Sequence, residues 1–429
     1  MKKIIVVVSC PIDTYSGYGA RSRDFVKALL ALDKYDVKVL SQRWGQTRVG
    51  YLADHNEVEL TSLIVPNLTK TPQVWIQITV PNEFKAIGEY NIGVTAGIET
   101  TLCDASWIQG CNQMNLVLTS SEHSKHTFKT SAYKVEERGT EKGTLQIQAA
   151  IEILFEGIDT QKYSPLDRVN KSVSLVADLD SIKESFCYLF VGHWLQGDVG
   201  QDRKNVGYLI QNFLETFKNH RTPPALILKT QSANASILDR DKILKVVDSL
   251  RKRVGGKLPN IYLLHGEISD TEMNILYNHP KVKTMVSLTK GEGFGRPLLE
   301  FSAVNKPIIA SAWSGHMDFL QPEFNLLVGG RLTNVHSSAV VKNVILTESQ
   351  WFTPDDSQVN FALKEVFNNY KKYIPLAKRQ GYKSRSEFSF EAMTTRLGSF
   401  LEQYVPEFPE QVELKLPELK LPKLKKIDG

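Results

Sequence analysis

Two acidic residues flank a glycine-rich turn in the segment "GEGFGRPLLE", which runs from Gly291 to Glu300. Glu292 and Glu300 lie eight positions apart. Glycines at positions 291, 293 and 295 allow backbone angles and close approaches that side chains would block. Because carboxylates accept hydrogen bonds from hydroxyl groups, the two acids suit a ligand that carries several hydroxyls.

The residues after the turn predict the start of a helix. Pro297 suits the first helical position, which would put Arg296 at the cap. Arginine does not cap a helix as serine or aspartate does, so the N–H groups of Leu298 and Leu299 are expected to lack a side-chain partner. A phosphate could accept from these groups, helped by the helix dipole and by Arg296.

Two interpretations of the acids are open on these grounds. A ligand with hydroxyls on both sides of a phosphate group is a nucleotide sugar, and the two carboxylates would then accept from those hydroxyls. Alternatively, Glu292 is a solvated loop charge and Glu300 is only a favourable charge in the first turn of the helix.

The turn is expected to join a strand to a helix. "KTMVSL" predicts a buried strand and "PLLEFSAVN" a mostly apolar helix, so the turn falls at the carboxyl end of a parallel strand. Ligands of open α/β sheets bind at such ends. Strand and helix patterns alternate twice along the chain, first from "KKIIVVVSC" to "EHSKHTFKTSA" and again from "FCYLFVG" to "PIIAS". Two such series predict two doubly wound α/β domains.

The predicted domain boundaries follow the two series. Residues 1–160 form a first Rossmann-like domain, and residues 161–385 form a second one. A polar linker at about 156–185, which contains Pro165, joins them. Residues 386–405 form a C-terminal helix. Residues 406–429 form a Pro- and Lys-rich tail, expected to be solvated or loosely docked rather than an anion-binding arm.

The composition is that of a soluble globular protein, with 429 residues, 42% hydrophobic and 23% charged. No apolar run is long enough to span a bilayer, and "MKKIIVVVSC" predicts a buried strand rather than a signal peptide. The four cysteines include no CxxC pair, which favours reduced thiols in a cytoplasmic protein. The net charge of +5 permits an anionic partner without requiring one.

Several segments together resemble retaining glycosyltransferases of the GT-B architecture, in particular glycosyltransferase family four. "EGFGRPLLE" resembles the E-x7-E motif, and "FEGIDTQKYSP" resembles the interdomain signature "NGVD…F.P". "FVGHWLQGDVGQDRKNVGYLIQNF" resembles "VGR…KG…LI.AF", and "YLLHGEISDTEMNILYNHPKV" resembles "F.G.V…EL..LY..A.V". "ASAWSGHMDFLQPEFNLLV" matches the glycine loop that follows E-x7-E. These segments span roughly residues 155–330 in the family's order, whereas the N-terminal half is matched only loosely.

The resemblance implies a GT-B fold, in which two Rossmann-like domains face each other across a cleft and C-terminal helices return to the first domain. The first domain would bind the acceptor and the second the nucleotide sugar. Enzymes of this kind retain the anomeric configuration and need neither a metal nor a tightly bound cofactor. The leaving phosphate takes the proton of the acceptor hydroxyl, so no protein nucleophile is expected. If one acts, Glu292 is the carboxylate in position to do so.

The resemblance also implies roles for individual residues. Glu300 would hold the ribose hydroxyls, and Glu292 would contact the sugar that is transferred. Lys204 and Arg203 would neutralise the diphosphate. Further donor contacts are implied at Gly17, Gly19, Gly266, Glu267, Ile268, Gly293, Phe294, Gly295, Arg296, Leu298 and Leu299, with the base received by the backbone of residues 266–268.

Two positions on the cleft are less constrained by the resemblance. His193 stands where the family usually has an arginine, and a longer loop precedes Arg203 and Lys204, so Arg203 is expected to substitute for the missing cation. Glu99 and Thr100, after a predicted first-domain strand, are the candidate acceptor contacts.

Two short patterns imitate metal sites. "DLD", Asp178 to Asp180, falls in the predicted linker and precedes no suitable strand. His123 and His126 have no third ligand nearby in the sequence and are expected to be exposed at a helix start. No metal site is therefore predicted.

The predicted function is transfer of a sugar from a nucleoside diphosphate donor, with a UDP-sugar favoured, to an unidentified acceptor hydroxyl. One alternative is that the acceptor is a hydroxymethylated base in phage DNA, since phage DNA glycosyltransferases share this architecture and "SLRKRVGGK" is basic. Another is a sugar-nucleotide epimerase of the same fold, against which the E-x7-E pattern counts. The expected location is the cytoplasm of a bacterium or of a phage-infected host.

Overall fold

The computed structural model describes residues 3–137, 140–232 and 235–409. Most of the predicted Pro- and Lys-rich tail therefore lies outside the described residues. The chain forms two parallel sheets of six strands each, together with two small antiparallel hairpins.

The first sheet is built from the N-terminal series of strands and helices. Runs of β-branched residues form its strands, and the valines of "IIVVVSC" are buried. Side chains cap several of its helices, as where Ser16 accepts from the Gly19 N–H and Ser121 from the Ser124 N–H. The elements of this half are β1 Ile4–Cys10, α1 Gly17–Ala31, β2 Tyr35–Ser41, α2 Tyr51–Asp54, α3 Val58–Ser62, β3 Val74–Ile78, β4 Tyr90–Val94, α4 Ala105–Cys111, β5 Leu116–Thr119, α5 Glu122–Thr130, β6 Tyr133–Glu137, β7 Thr140–Leu145 and β8 Ala150–Ile153.

The second sheet repeats the pattern further along the chain. Its helix α9 begins with a capping box, in which Ser269 and Glu272 satisfy each other's backbone N–H groups. The elements are α6 Ser174–Ser181, β9 Cys187–Val191, α7 Val206–Phe217, β10 Ala225–Lys229, α8 Ile237–Val254, β11 Ile261–Leu264, α9 Asp270–Asn278, β12 Val282–Ser287, α10 Arg296–Ser302, β13 Ile308–Ser311, β14 Leu326–Val328, β15 Gly330–Asn334, β16 Gln350–Pro354, α11 Asp356–Glu387 and α12 Phe390–Tyr404.

The strand orders locate the ligand-binding edges of the sheets. The first sheet has the order β2-β1-β3-β4-β5-β8, and the second has the order β11-β10-β9-β12-β13-β14. In the second sheet, successive connections run in opposite directions from the β9/β12 junction, which makes that junction the topological switch point. Loops that follow β9 and β12 therefore meet at the carboxyl edge of the sheet, where open α/β sheets bind ligands.

The last helix returns to the first sheet, as predicted. Met393, Leu397 and Leu401 of α12 are buried in the same core as Phe25 and Leu29 of α1. The predicted fold, two doubly wound domains with C-terminal helices that return to the first, is confirmed.

The chain crosses between the two sheets at two adjacent places. The Ile158 N–H donates to the Phe388 carbonyl at 2.9 Å, and the Phe390 N–H donates to the Ile158 carbonyl at 2.8 Å. The core continues past these crossings, since Phe155 packs on Phe388, and Phe388 packs on Phe319.

Some local predictions need correction. The predicted linker contains a helix, α6, and the "DLD" segment belongs to that helix. In addition, the hairpins β6–β7 and β15–β16 have no counterpart in the predicted strand series.

The cysteines and the apolar character of the helices were also subjects of prediction. All four cysteines are buried and free. Among the described residues, no helix combines the length and apolar character that crossing a membrane would require.

Candidate functional site

The loops after β9 and β12 are fastened together at the switch point. The Lys290 N–H donates to the Arg203 carbonyl at 2.8 Å, and the Asn205 side chain donates to the Leu288 carbonyl at 3.0 Å. The Arg203 guanidinium also donates to the Gly291 carbonyl at 3.0 Å. These bonds hold the two predicted cations, Arg203 and Lys204, beside the glycine turn.

Glu292 lies between these two cations. Its carboxylate oxygens are 2.5 Å from the Lys204 Nζ and 3.4 Å from an Arg203 nitrogen. Burial alone would raise the pKa of Glu292, but the charges of Lys204 and Arg203 outweigh it and hold the pKa at about 2. Glu292 is therefore ionised at neutral pH, and each cation already has an anionic partner.

The backbone of Glu292 is fixed by the loop after β13. The Glu292 N–H donates to the Ser314 hydroxyl at 2.9 Å, and the Gly315 N–H donates to the Glu292 carbonyl at 2.9 Å. Ser314 has φ 81° and ψ −161°, a region that is essentially restricted to glycine. Backbone strain of this kind persists where the surrounding structure holds the backbone in place. Here the strained residue, Ser314, is hydrogen-bonded directly to the Glu292 backbone.

The first domain approaches this turn closely. A Cβ on Gly291 would lie 1.9 Å from the Glu99 carbonyl oxygen, and a Cβ on Gly293 would lie 2.2 Å from the Ala96 carbonyl oxygen. The Ser120 hydroxyl donates to the Gly293 carbonyl at 3.1 Å. These two glycines are required because any side chain would separate the two domains at this point.

Glu99 reaches the same centre from the first domain. Its carboxylate is 3.7 Å from the Arg203 guanidinium, and about a quarter of its side chain is exposed. This placement is compatible with the predicted acceptor contact. Thr100 is placed differently: it is buried and its hydroxyl donates to the Leu102 carbonyl, so its side chain does not face the cleft.

Glu300 lies at the other end of the motif, in a separate polar cluster. Its two oxygens accept from the Arg296 Nε at 3.0 Å and from the Tyr277 hydroxyl at 3.1 Å. Burial raises the pKa of Glu300 to about 7, even though Arg296 acts in the opposite direction. The two acids of the motif therefore differ in charge state, because Glu292 is paired with two cations, whereas Glu300 has Arg296 as its cation and is also affected by the charge of Asp270.

Arg296 pairs with carboxylates of both domains. Its guanidinium pairs with Asp24 of the first domain as well as with Glu300, and it lies 3.9 Å from Glu156 near the crossing segment. The predicted role of Arg296 in phosphate binding stays a prediction, because a phosphate there would have to displace these carboxylates. The position of Arg296 ties the two domains together.

The predicted start of the helix is wrong. Helix α10 begins at Arg296, and the cap is Gly295 with φ 98°. The N–H groups of Leu298 and Leu299 both donate to the Gly295 carbonyl, at 2.9 and 3.3 Å, because the tight turn brings that carbonyl within reach of both. They are consequently not free to bind a phosphate.

A cavity of about 370 Å³ lies between the two domains. Five of the predicted donor residues line it, and they come from both domains: Gly17, Glu267, Ile268, Arg296 and Glu300. Gly17 is exposed and has open space where a Cβ would be. The structure thus brings the β11–α9 loop, Glu300 and the first helix to one cavity, while Glu292 and its cations lie in the adjoining cluster.

Residues 266–268 are supported by strand β10. Lys229 donates to the Gly266 carbonyl at 2.6 Å, and the Gln231 amide donates to the Glu267 carboxylate. Gly266 has φ 99°, which favours glycine, and a Cβ at this position would meet no atom within 4 Å.

The surroundings of four further residues differ from one another. The Phe294 side chain is buried in the core and packs on Phe319, so only its backbone borders the site. Gly19 packs against the Thr14 backbone. His193 is exposed, and its Nδ1 contacts the Ser232 carbonyl at 3.1 Å. His123 is not exposed as predicted but partly buried against Trp313, and burial lowers its pKa to about 4.

Several residues of the site were not predicted from sequence patterns. Ser314 and Tyr277 carry no motif of their own, although Ser314 stands in the loop that resembles the family's glycine loop. Asp24 lies on the apolar-patterned helix α1, where its partner on α10 is distant in sequence. Glu156 is part of "FEGID" and could have been singled out from that segment.

Comparison with known proteins supports the fold. Neither the models of known protein families nor the curated protein sequences gave a match. Among solved structures, the chain is similar to a glycosyltransferase from Rickettsia africae ESF-5, at 11% identity and a TM-score of 0.61, over 94% of this chain and 99% of that one.

Two further structures show the same likeness. Sucrose-phosphate synthase from Thermosynechococcus elongatus aligns at 12% identity and a TM-score of 0.60, over 94% of this chain and 99% of that one. Anabaena HepE, solved in complex with UDP and glucose, aligns at 13% identity and a TM-score of 0.58, over 92% of this chain and 99% of that one. At such low identities the likeness establishes the fold, and it agrees with the predicted GT-B architecture.

Proposed function

We propose that the protein transfers a sugar from a nucleoside diphosphate donor, with a UDP-sugar favoured, to an acceptor hydroxyl, with retention of the anomeric configuration. One observation carries the proposal. Two partly buried cations, Arg203 and Lys204, converge with Glu292 at the switch point of the second sheet, beside an interdomain cavity that ends at Glu300. Cations at a switch point suit a diphosphate.

When the donor binds, Lys204 and Arg203 exchange one anionic partner for another. The diphosphate takes the place of the Glu292 carboxylate at Lys204 and Arg203, since two anions compete for the same cations. The released carboxylate then accepts hydrogen bonds from hydroxyls of the donor sugar. Glu300, already oriented by Tyr277 and Arg296, accepts from the ribose hydroxyls at the cavity end.

The chemical step breaks the bond between sugar C1 and the phosphate oxygen, and it forms the bond between C1 and the acceptor oxygen on the same face. The proton of the acceptor hydroxyl passes to the leaving phosphate oxygen. Negative charge grows on the diphosphate during this step, and the preorganised cations Lys204 and Arg203 stabilise it. Electrostatic contributions of this kind are worth about 3 kcal/mol per donor.

The solved structures support the class of donor. One of the similar proteins, Anabaena HepE, was solved with UDP and glucose, and the other two are a glycosyltransferase and a sucrose-phosphate synthase. The acceptor enters from the first domain, where Glu99 lies beside Arg203. For a DNA acceptor we find no favouring contact: within "SLRKRVGGK", Arg251 donates to the Pro259 carbonyl and Lys252 pairs with Asp248.

The proposal is tested by a binding panel. Thermal unfolding is measured with UDP-, GDP-, ADP- and TDP-sugars, and a donor at about 100 times its dissociation constant adds roughly 2.7 kcal/mol to the free energy of unfolding. Lys204→Ala and Glu300→Ala are expected to reduce this stabilisation, and a chelator is expected to leave it unchanged. Failure of every donor to stabilise the wild-type protein would overturn the proposed function.

A further inference from the structure

The cations that line the interdomain cavity are already engaged. Lys27 pairs with Glu57 at 2.7 Å, and Lys162 pairs with Asp270 at 3.2 Å. Arg296 pairs with Asp24 and Glu300, and the Arg23 guanidinium donates to the Ile12 and Thr14 carbonyls. The cavity therefore offers no unpaired cation to a phosphate among the described residues that line it.

What the cavity does offer is aromatic rings and hydrogen-bond acceptors. Tyr15, Tyr51, His55 and Tyr163 contribute rings to its wall, and Glu267, Asp270 and Glu300 contribute carboxylates. A nucleoside combines a flat heteroaromatic base, which can pack on the aromatic rings, with ribose hydroxyls, which can donate to the carboxylates. With the diphosphate assigned to Lys204 and Arg203, the cavity is left for the nucleoside part of the same donor.

The side of this cavity that belongs to the first domain is a stack built around α2. The Arg23 guanidinium carbon lies 3.3 Å from the centre of the Tyr51 ring, and the His55 ring stacks on the Tyr51 ring at 4.1 Å. Tyr15 meets Tyr51 edge-on at 5.1 Å. Because Arg23 is itself buried and held by two backbone carbonyls, the stack fixes the position of Tyr51 and, through it, that of His55.

Tyr51 faces the second domain across the cavity. Burial raises the pKa of Tyr51, and the charges that act on it include Asp270 and Lys162, which come from the opposite wall. Its hydroxyl has no hydrogen-bond partner among the described residues, although the ring is firmly held. A partly buried hydroxyl without a partner, on a fixed ring that borders a cavity, is available to a ligand.

We propose that the Arg23–Tyr51–His55 stack forms the first-domain wall of the nucleoside pocket, with the Tyr51 hydroxyl and the His55 ring contacting the nucleoside of the donor. This inference rests on the proposed function, and it adds that both domains recognise the same part of the donor. The segment around α2 lies between β2 and β3, outside every segment on which the resemblance was based. Donor recognition by this wall requires the closed arrangement of the two domains.

The experiment separates the nucleoside from the diphosphate. Binding of UDP, GDP and inorganic diphosphate is measured by calorimetry for the wild type, Tyr51→Phe and His55→Ala. Tyr51→Phe keeps the ring and its stack and removes only the hydroxyl. Loss of one hydrogen bond is expected to weaken binding of the preferred nucleoside diphosphate roughly 2- to 10-fold. Binding of inorganic diphosphate is expected to be unchanged.

A control variant and a second cavity variant complete the experiment. Tyr382→Phe is the matched control, because Tyr382 is 72% exposed on α11, away from the cavity. His55→Ala, at an exposed position, provides a second variant should Tyr51→Phe unfold. If the wild type binds a nucleoside diphosphate and both variants bind it equally well, the inference fails while the proposed function stands. If the wild type binds no nucleotide at all, the proposed function fails first.

Discussion

Glu292 pairs with both Lys204 and Arg203, so under the proposed function its carboxylate holds the place that a diphosphate would fill. This arrangement avoids leaving two partly buried cations without an anion, which would be unfavourable. It also means that a diphosphate must compete with Glu292 before it can bind.

Substitution of Glu292 should therefore separate binding from turnover. Glu292→Gln removes the competing charge, and we expect inorganic diphosphate to bind about tenfold more tightly, the equivalent of about 1.4 kcal/mol. Turnover with a donor and an acceptor should fall, because an amide accepts more weakly from the sugar hydroxyls than a carboxylate does. Calorimetry with diphosphate checks the first expectation, and Glu323→Gln, at an exposed acid, is the control. Weaker diphosphate binding in Glu292→Gln would contradict the competition.

Glu300 should make donor binding depend on pH. Its pKa is raised to about 7 by burial, so a large fraction of it is protonated at neutral pH. The ionised form is the better acceptor for ribose hydroxyls, and we expect affinity for a nucleotide sugar to rise about tenfold from about pH 6 to about pH 8. Glu300→Gln should flatten this profile. A wild-type profile that is already flat over this range would count against the assignment of Glu300 to the ribose.

The raised pKa of Glu300 affects the stability of the fold in the opposite direction from donor binding. The folded pKa of Glu300 lies above the ordinary value of 4.5, so the native state holds more protons between about pH 4.5 and about pH 7. The contribution of Glu300 to the free energy of unfolding therefore decreases as the pH rises through that window. Ligand binding and stability thus place opposite demands on one carboxyl group.

At the scale of elements, the strained loop after β13 holds the glycine turn that carries Glu292. Ser314 adopts a backbone conformation that costs of the order of 1–3 kcal/mol for a residue other than glycine, and its hydroxyl accepts from the Glu292 N–H. A serine at position 314 therefore has an unfavourable backbone conformation but supplies a hydroxyl that holds the Glu292 backbone.

A pair of variants separates the two effects. Ser314→Gly and Ser314→Ala both lose the hydroxyl, but only the alanine retains the strain. We expect Ser314→Gly to be more stable than Ser314→Ala by about 1 kcal/mol, after allowing for the greater freedom of glycine in the unfolded chain. Chemical denaturation of the two variants measures the difference. Equal stability would show that the backbone at this position is not strained.

The elements were more predictable than their contacts. Alternation of β-branched runs and helical segments is local, and it predicted the two doubly wound sheets. The start of α10 was misjudged because the sequence could not reveal that the Gly295 carbonyl accepts from two N–H groups. Likewise, the lysine and glutamate of the site are recognisable as residue types, whereas the pairing of Arg296 with Asp24 joins positions far apart in the chain and depends on how the domains meet.

At the scale of the whole molecule, the two domains are in contact around the site. Arg296 pairs with Asp24, Arg203 lies near Glu99, and the Glu122 N–H donates to the Asp318 carboxylate at 2.9 Å. These contacts are polar and partly accessible to solvent. Around the site, closure therefore depends on polar contacts, whereas at the crossing the two domains share a hydrophobic core.

Loss of one interdomain ion pair should shift the balance between a closed and an open arrangement. Asp24→Asn is expected to weaken the closed arrangement by about 1 kcal/mol, roughly fivefold in the ratio of closed to open molecules. The radius of gyration from small-angle X-ray scattering should rise and return towards the wild-type value on addition of donor. Asp33→Asn is the matched control, because the Lys3–Asp33 pair lies within the first domain. No change in Asp24→Asn would show that this pair does not hold the domains together.

Helix α12 has a consequence for how the protein is made. The core of the first domain includes Met393, Leu397 and Leu401 of α12, which packs on α1, yet the last strand of that domain ends at Ile153. On the ribosome, the first half of the chain must wait until more than two hundred later residues have emerged before its hydrophobic surface is covered. During that interval the nascent first domain exposes the groove that α12 will fill. Folding of the first domain is therefore complete only after the C-terminal helix has been synthesised. A ribosome that stalls before residue 390 leaves the core of the first domain incomplete.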